Sequence, residues 1–331
     1  MTARPDNSEL ARATYTPYDV AVYTVEAIEE RRANQERALC TGVAEVDRWV
    51  KPLLPGEVCY VVAYTSHGKT SWCQFWARQC VRQLRQRGVM DRVVVYVSWE
   101  TLVEELGLYD LCGMTGLDAS GVWYGDVTDA QIADLRVAAL RRAAMPLWVV
   151  GYSLRRRREL RSLTVSVVRE ALAALEQRNG LQPAMVFLDY VQAMDPEDPR
   201  EERSLQVARS CDEVQRLARE VGCPVVVASQ AGNAVMERAM KLPEINDGQW
   251  TSRQQQDADK VLTLWYPVKN LDEGEVIPDL GWECTADTIV LGVRKQRRAA
   301  SGQVLRLRFD PARNTFSSWD EPAEVTDQWW D

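Results

Sequence analysis

One stretch constrains this chain more than any other. An apolar run at residues 58–62 (VCYVV) passes through AYTSHGKT, residues 63–70, into SWCQFWARQ, whose apolar residues recur at helical spacing. A strand, a tight glycine-containing turn and a helix in immediate succession form a cradle for phosphate. Backbone N–H groups of residues 65–69 wrap the β- and γ-phosphates, and the new helix adds its positive end. Lys69 adds a point charge and Thr70 offers a hydroxyl to Mg²⁺. The candidate nucleotide-contacting residues are therefore Ala63, Thr65, Ser66, His67, Gly68, Lys69, Thr70 and Ser71. Ala63 stands where many such loops have glycine, so the first turn must work with a methyl group present. For His67, the only histidine, the expectation is a solvent-facing ring.

A cradle of this kind needs a parallel sheet behind it, and the rest of the pattern supplies one. Short apolar runs at residues 58–62, 92–98, 147–150, 185–189 and 224–229 read as strands buried on both faces. Between them, residues 70–86, 129–144, 163–178 and 202–221 carry apolar side chains at spacings of three and four, as helices do. Strands alternating with helices predict an α/β fold with a mostly parallel central sheet. Four later runs, at residues 261–266, 288–293, 304–309 and 315–319, are expected to extend that sheet in antiparallel fashion. Residues 269–283, rich in Asp, Glu, Gly and Pro, read as a surface loop. A polar start and a helix over Pro17–Arg37 precede this domain. The predicted organisation is a tail and helix over 1–40, the α/β domain over 41–320, and a tail over 321–331 that ends in Trp329, Trp330 and Asp331.

Composition narrows the partners. No apolar run approaches the roughly 18 residues that span a bilayer, and the first residues lack a secretory apolar core, so the expected compartment is the cytoplasm. Eight cysteines are scattered singly, a pattern of reduced structural thiols and not of a zinc site. The net charge of −8 argues against general coating of nucleic acid, whose affinity comes from neutralised phosphates. It leaves room for a local basic channel.

Three strand ends add chemistry. Asp189 closes the apolar strand MVFL; alone, such an aspartate is more often a cap, but after a phosphate cradle it is the residue that holds Mg²⁺ through water. Glu100 closes VVVYVSW and is the candidate base for the attacking water, unless it only begins a surface helix at 101–106. Gln230 closes VVVAS, where a neutral amide either senses the γ-phosphate or simply satisfies backbone. Two basic runs remain, residues 155–158 and 294–298 (RKQRR); such runs are usually solvated faces. The second sits between two strand candidates, so its side chains lie on a hairpin at one edge of the domain. From there a cation can reach a neighbour's nucleotide, as an arginine finger does.

Taken in order, these motifs resemble the RecA-like ATPase domain of DnaB-type replicative helicases, from about residue 41 to 319. The likeness runs through TGVAEVDRWVKPLLPGEVCYVVAYTSHGKT, VSWET, FLDYVQAM, VVVASQ, QQDADKVLTLWY and VRKQRRAASGQVLRLRFD. The resemblance implies ATP and Mg²⁺, with Lys69, Thr70, Asp189 and Glu100 in nucleotide chemistry and Gln230 as sensor. It also implies that Lys295 and Arg297 reach the adjacent subunit's γ-phosphate in a homo-oligomer, a hexamer in this family, that tracks single-stranded DNA. The helix over Pro17–Arg37 is similar to the family's linker helix, which packs on a neighbouring subunit. The helical domain that engages primase in replicative members is not expected here. Where the family's channel loop carries Arg-Glu-Ser-Gly, this chain reads Gln249, Trp250, Thr251, Ser252. The candidate DNA contacts are thus Gln249, Trp250 and Arg253, with stacking on Trp250 in place of a phosphate-binding arginine; the loop packing against protein is the alternative.

Two other readings compete. One is a RecA-like ATPase that forms a regulatory or scaffolding ring with an effector protein and does not unwind DNA, which the acidic charge and altered loop favour. The other is recombinase-type strand exchange, against which the order of the last two motifs argues.

Overall fold

In a computed structural model, residues 14–156, 162–198, 200–249 and 258–320 are described. They divide into two units, one ending at Ala38 and one beginning at Leu39. The first contains helix α1, Pro17–Arg37, whose N-terminus is capped reciprocally by Thr16 and Asp19. Tyr18, Val20, Tyr23, Val25 and Ile28 are exposed on it.

The second unit is built on a nine-stranded sheet. In chain order its elements are α2 (Ala44–Trp49), β1 (Val58–Ala63), α3 (Lys69–Gln86), β2 (Arg92–Ser98), α4 (Val103–Thr115), α5 (Ala119–Tyr124), α6 (Asp129–Ala143), β3 (Leu147–Gly151), α7 (Val165–Asn179), β4 (Gln182–Asp189), α8 (Arg203–Val221), β5 (Val225–Gln230), β6 (Lys260–Trp265), β7 (Thr288–Gln296), β8 (Val304–Asp310) and β9 (Thr315–Ser318). The strand order is β3-β2-β4-β5-β1-β6-β7-β8-β9. It is a RecA-like P-loop fold, mostly parallel, with antiparallel strands at its C-terminal edge.

The continuous apolar strands are explained by layers on both faces. Successive side chains of β1 point to opposite sides: Cys59, Val61 and Ala63 meet the layer that contains Trp72, Phe75 and Trp76 of α3, while Val58, Tyr60 and Val62 meet the layer of α7 and α8. α3 buries Trp72, Trp76, Cys80 and Leu84 at helical spacing, and Trp76 sits against Phe187 of β4 with ring centroids 5.8 Å apart. That contact fixes the start of α3, and with it the phosphate cradle, over the C-terminal ends of the central strands.

Two expectations are corrected and a third is refined. β6 pairs parallel with β1, with Cys59 opposite Lys260, so only β7, β8 and β9 run antiparallel. An apolar strand sequence carries no direction, and the chain travels back across the sheet before it enters β6. The helix expected at 101–106 starts at Val103 and continues to Thr115, with α5 following it. Residues 269–283 do lie at the surface, but Ile277 and Cys284 are pulled into a small cluster with Trp265, Leu242 and Val290, and an antiparallel bridge joins Val276 to Glu283. Among the described residues no helix is long and apolar enough to cross a membrane.

Candidate active site

The cradle leaves β1 at the fully buried Ala63 and closes at Gly68, which caps α3 in the left-handed region at φ +82°. A Cβ at Gly68 would come within 3.0 Å of Ile289 Cδ1, so both conformation and space ask for glycine. Ser66 is also left-handed, at φ +65°. No side chain caps the start of α3 and no acidic residue lies in its first turn, so its first N–H groups are left for an anion. Thr65 and Ser66 are exposed, and Thr70 and Ser71 are partly buried along the same loop and first turn.

His67 does not face solvent. Its ring is 3% exposed, its Nδ1 accepts the Tyr266 backbone N–H at 3.1 Å, and it meets Tyr64 edge-on. The amide just beyond β6 lacks a ladder partner there, and the imidazole supplies the acceptor. Burial, with the positive charge of Lys269 in the same direction, pushes the His67 pKa down to about 4, so the ring is neutral and its Nδ1 is free to accept this hydrogen bond. The cradle is thereby pinned to the neighbouring strand end.

Lys69 Nζ lies 3.7 Å from the centroid of the Tyr190 ring, a cation–π contact. Burial lowers its pKa, while the negative charges of Asp189 and Glu100 act in the opposite direction. Asp189 ends β4, and its peptide bond to Tyr190 is cis. Its Oδ2 accepts the Tyr96 hydroxyl at 2.8 Å, whereas Oδ1 is buried with no hydrogen-bond donor among the described residues. Burial and the adjacent carboxylate hold the Tyr96 hydroxyl protonated, well above its ordinary pKa. An orphaned carboxylate oxygen and the Thr70 hydroxyl at the start of α3 suit a hard cation such as Mg²⁺, which takes oxygen ligands and retains several waters.

Register brings the remaining groups to the same end of the sheet. Ser98 pairs with Asp189, so Glu100 lies exposed just past that row. Ala63 pairs with Gln230, whose Nε2 donates to Thr65 Oγ1 at 2.9 Å. Glu100, Asp189, Gln230 and the cradle thus follow β2, β4, β5 and β1, which are adjacent in the sheet. Ligands of open α/β sheets gather at such strand ends.

Lys295 and Arg297 are elsewhere. β7 runs antiparallel to β6, and its end, Gln296, pairs with Lys260, which is level with Cys59. That row is four residues before Ala63, roughly 13 Å at about 3.3 Å per residue. Arg297 is half exposed there; its N–H donates to Asp259 O and its Nε lies 3.6 Å from Asp259 Oδ1. Arg298 pairs with Glu57, and the partly buried Arg294 donates its Nε to Pro243 O and pairs with Glu244. The hairpin therefore stands at the opposite end of the sheet from its own cradle.

Gln249 is held by its backbone: its N–H donates to Gln230 O at 2.8 Å and its carbonyl accepts from Gln192. Trp250 and Arg253 lie outside the described residues, as do Arg157, Arg158, Trp329 and Trp330. Sequence reasoning missed Tyr96, Tyr190 and Gln192. Tyr96 does carry a signal, because a tyrosine in the middle of a buried valine strand needs a partner for its hydroxyl.

The profile of the DnaB-like helicase C terminal domain matches residues 38–318. The chain belongs to this family. Among curated relatives, the replicative DNA helicase DnaC of Bacillus subtilis is 26% identical over 250 residues, covering 75% of this chain and 52% of that protein. DnaB of Haemophilus influenzae is 24% identical over 295 residues, covering 87% of this chain and 57% of its own length. This DnaB-family chain thus spans about half the length of the relatives it matches. Among solved structures, an ATPase domain superposes with a TM-score of 0.74 at 19% identity, covering 93% of this chain and all of that one. A DnaB-like replicative helicase, solved to show its interactions with primase, gives 0.73 at 19% identity, covering 93% and 68%. Both likenesses establish the fold.

Proposed function

We propose that the chain is an ATP-hydrolysing motor that assembles head to tail with copies of itself, in a ring of the hexameric kind, and tracks single-stranded DNA. The observation that carries this is the separation just described: the cradle, Asp189, Glu100 and Gln230 share one end of the sheet, while Lys295 and Arg297 occupy the other. The site needs a second cation for the charge that gathers on the γ-phosphoryl oxygens, and the hairpin can deliver it only to another copy. In this reading the α3 N-terminus and Lys69 hold the β- and γ-phosphates, and Thr70 with Asp189 holds Mg²⁺. An ion held there would supply positive charge to offset the negative charge of the phosphate oxygens. Glu100 orients and deprotonates the attacking water, and Gln230, tied to Thr65, registers whether the γ-phosphate is present. Gln249, Trp250 and Arg253 contact DNA.

The test is phosphate release by purified protein with ATP and Mg²⁺, with and without single-stranded DNA, together with anisotropy of a labelled oligonucleotide across a salt series. Stimulated hydrolysis and steep salt dependence are expected. A flat response in every nucleotide state would sink the DNA half of the reading. It would favour instead a regulatory or scaffolding ring with an effector partner, a reading supported by the net charge of −8 and by Gln249 at a position where the family resemblance has arginine.

A further inference from the structure

Gln192 lies in the short turn that follows Asp189, and its side chain takes no part in the chemistry above. It is 6% exposed and fully engaged. Its Oε1 accepts the Gln230 N–H at 3.0 Å, and its Nε2 donates to Gln249 O at 2.8 Å and Ser229 Oγ at 3.0 Å, with Gln230 O at 3.3 Å. The Gln249 N–H returns to Gln230 O at 2.8 Å, closing a small hydrogen-bonded circuit. One member of that circuit, Gln230, reaches the cradle through Thr65; another, Gln249, is the last described residue before 250–257. A buried amide with both ends committed has few other arrangements, since moving one partner leaves a donor or acceptor unmet at a cost of about 1–3 kcal/mol.

We infer that Gln192 is a positioning residue that couples the nucleotide state read by Gln230 to the backbone at Gln249, so that phosphate contact and the hydrogen bonds of Gln249 change together. The inference rests on the proposed function only for the identity of the second ligand; the circuit itself predicts coupling between Gln230 and Gln249 with nucleotide alone. By linkage, the factor by which ATP changes the affinity of a ligand held at Gln249 is the factor by which that ligand changes ATP affinity.

The experiment uses the full chain, wild type and Gln192→Met, which keeps volume and removes all of the side-chain hydrogen bonds. Hydrogen exchange is read at the amides of Gln230 and Gln249 with ADP and with a non-hydrolysable ATP analogue, and single-stranded DNA affinity is measured in both states. In the wild type the ATP analogue should slow both amides relative to ADP and shift DNA affinity by about tenfold. In Gln192→Met the Gln249 response and the affinity shift should vanish, while the fluorescent-ADP dissociation constant stays within about threefold of wild type. Nucleotide-independent exchange at Gln249 in the wild type would overturn the coupling, as would a full response in Gln192→Met. Wild type that binds no DNA yet shows nucleotide-dependent exchange at both amides would overturn the DNA reading and leave the coupling standing. Should Gln192→Met not fold, Gln192→Glu, which keeps an acceptor for the Gln230 N–H and removes the Nε2 donors, is put through the same comparison: a lost Gln249 response supports the coupling and a full one overturns it.

Discussion

His67 shows how a single side chain in a phosphate cradle can serve the scaffold. Its imidazole is neutral because burial holds the pKa near about 4, below its ordinary 6.5. Between those values the unfolded chain binds a proton that the folded chain refuses. The stability due to this depression is complete above about pH 6.5 and is lost as pH falls toward 4, with a slope of at most about 1.4 kcal/mol per pH unit. His67→Asn keeps an acceptor for the Tyr266 N–H and removes the titration, so urea midpoints between pH 6.5 and 4.5 should fall less steeply than in wild type; parallel slopes would assign the effect to other groups. Tyr96 offers a second prediction. Tyr96→Phe preserves the ring stacked on Phe187 but strips Asp189 Oδ2 of its donor. Stability should drop by about 1–3 kcal/mol, and the Mg²⁺ concentration that half-saturates fluorescent-nucleotide binding should rise severalfold. An unchanged Mg²⁺ requirement would separate Tyr96 from the metal-binding geometry.

At the scale of elements, α3 is what holds the cradle in place. Trp76→Ala should cost about 3–5 kcal/mol in denaturant unfolding, because it empties the contact with Phe187 and Trp72. Gln86→Ala, on the exposed end of the same helix, should stay within about 0.5 kcal/mol. β1, the cradle and α3 were legible in the sequence because local rules coincide there: an apolar run, a glycine with positive φ, then helical spacing. β2, β4 and β5 were legible for the same reason, and their terminal residues could be placed once the cradle was. Three features were not legible. The parallel direction of β6 is set by where the chain re-enters the sheet, which no local pattern records. Residues 103–124 carry apolar side chains without a strong helical stripe, so α4 and α5 showed only as a short helix. The partner of His67, and all those of Gln192 except the Ser229 hydroxyl, are backbone groups distant in sequence, and a hydrogen bond to a backbone group leaves no mark on the identity of its donor or acceptor.

For the molecule as a whole, the proposed assembly makes hydrolysis a property of contacts between copies. Lys69→Ala should abolish nucleotide binding; Arg297→Ala should leave binding near wild type and lower hydrolysis by about 10³-fold. Mixing the two inactive proteins is the sharper test. A cradle from Arg297→Ala facing a hairpin from Lys69→Ala is complete, so random pairing should restore roughly a quarter of the sites. Mixtures that stay inactive, while wild-type subunits mix and work normally, would mean that the hairpin does not act across the contact. The opposed placement of cradle and hairpin on one sheet also gives any such assembly a sense of circulation. Each copy looks to the same side for its missing cation, so the sites follow one another clockwise or anticlockwise and never both, and the two faces of the assembly are inequivalent. A strand threading it would meet a front and a back, and directionality would already be present in the order of β6 and β7 before any nucleotide is spent.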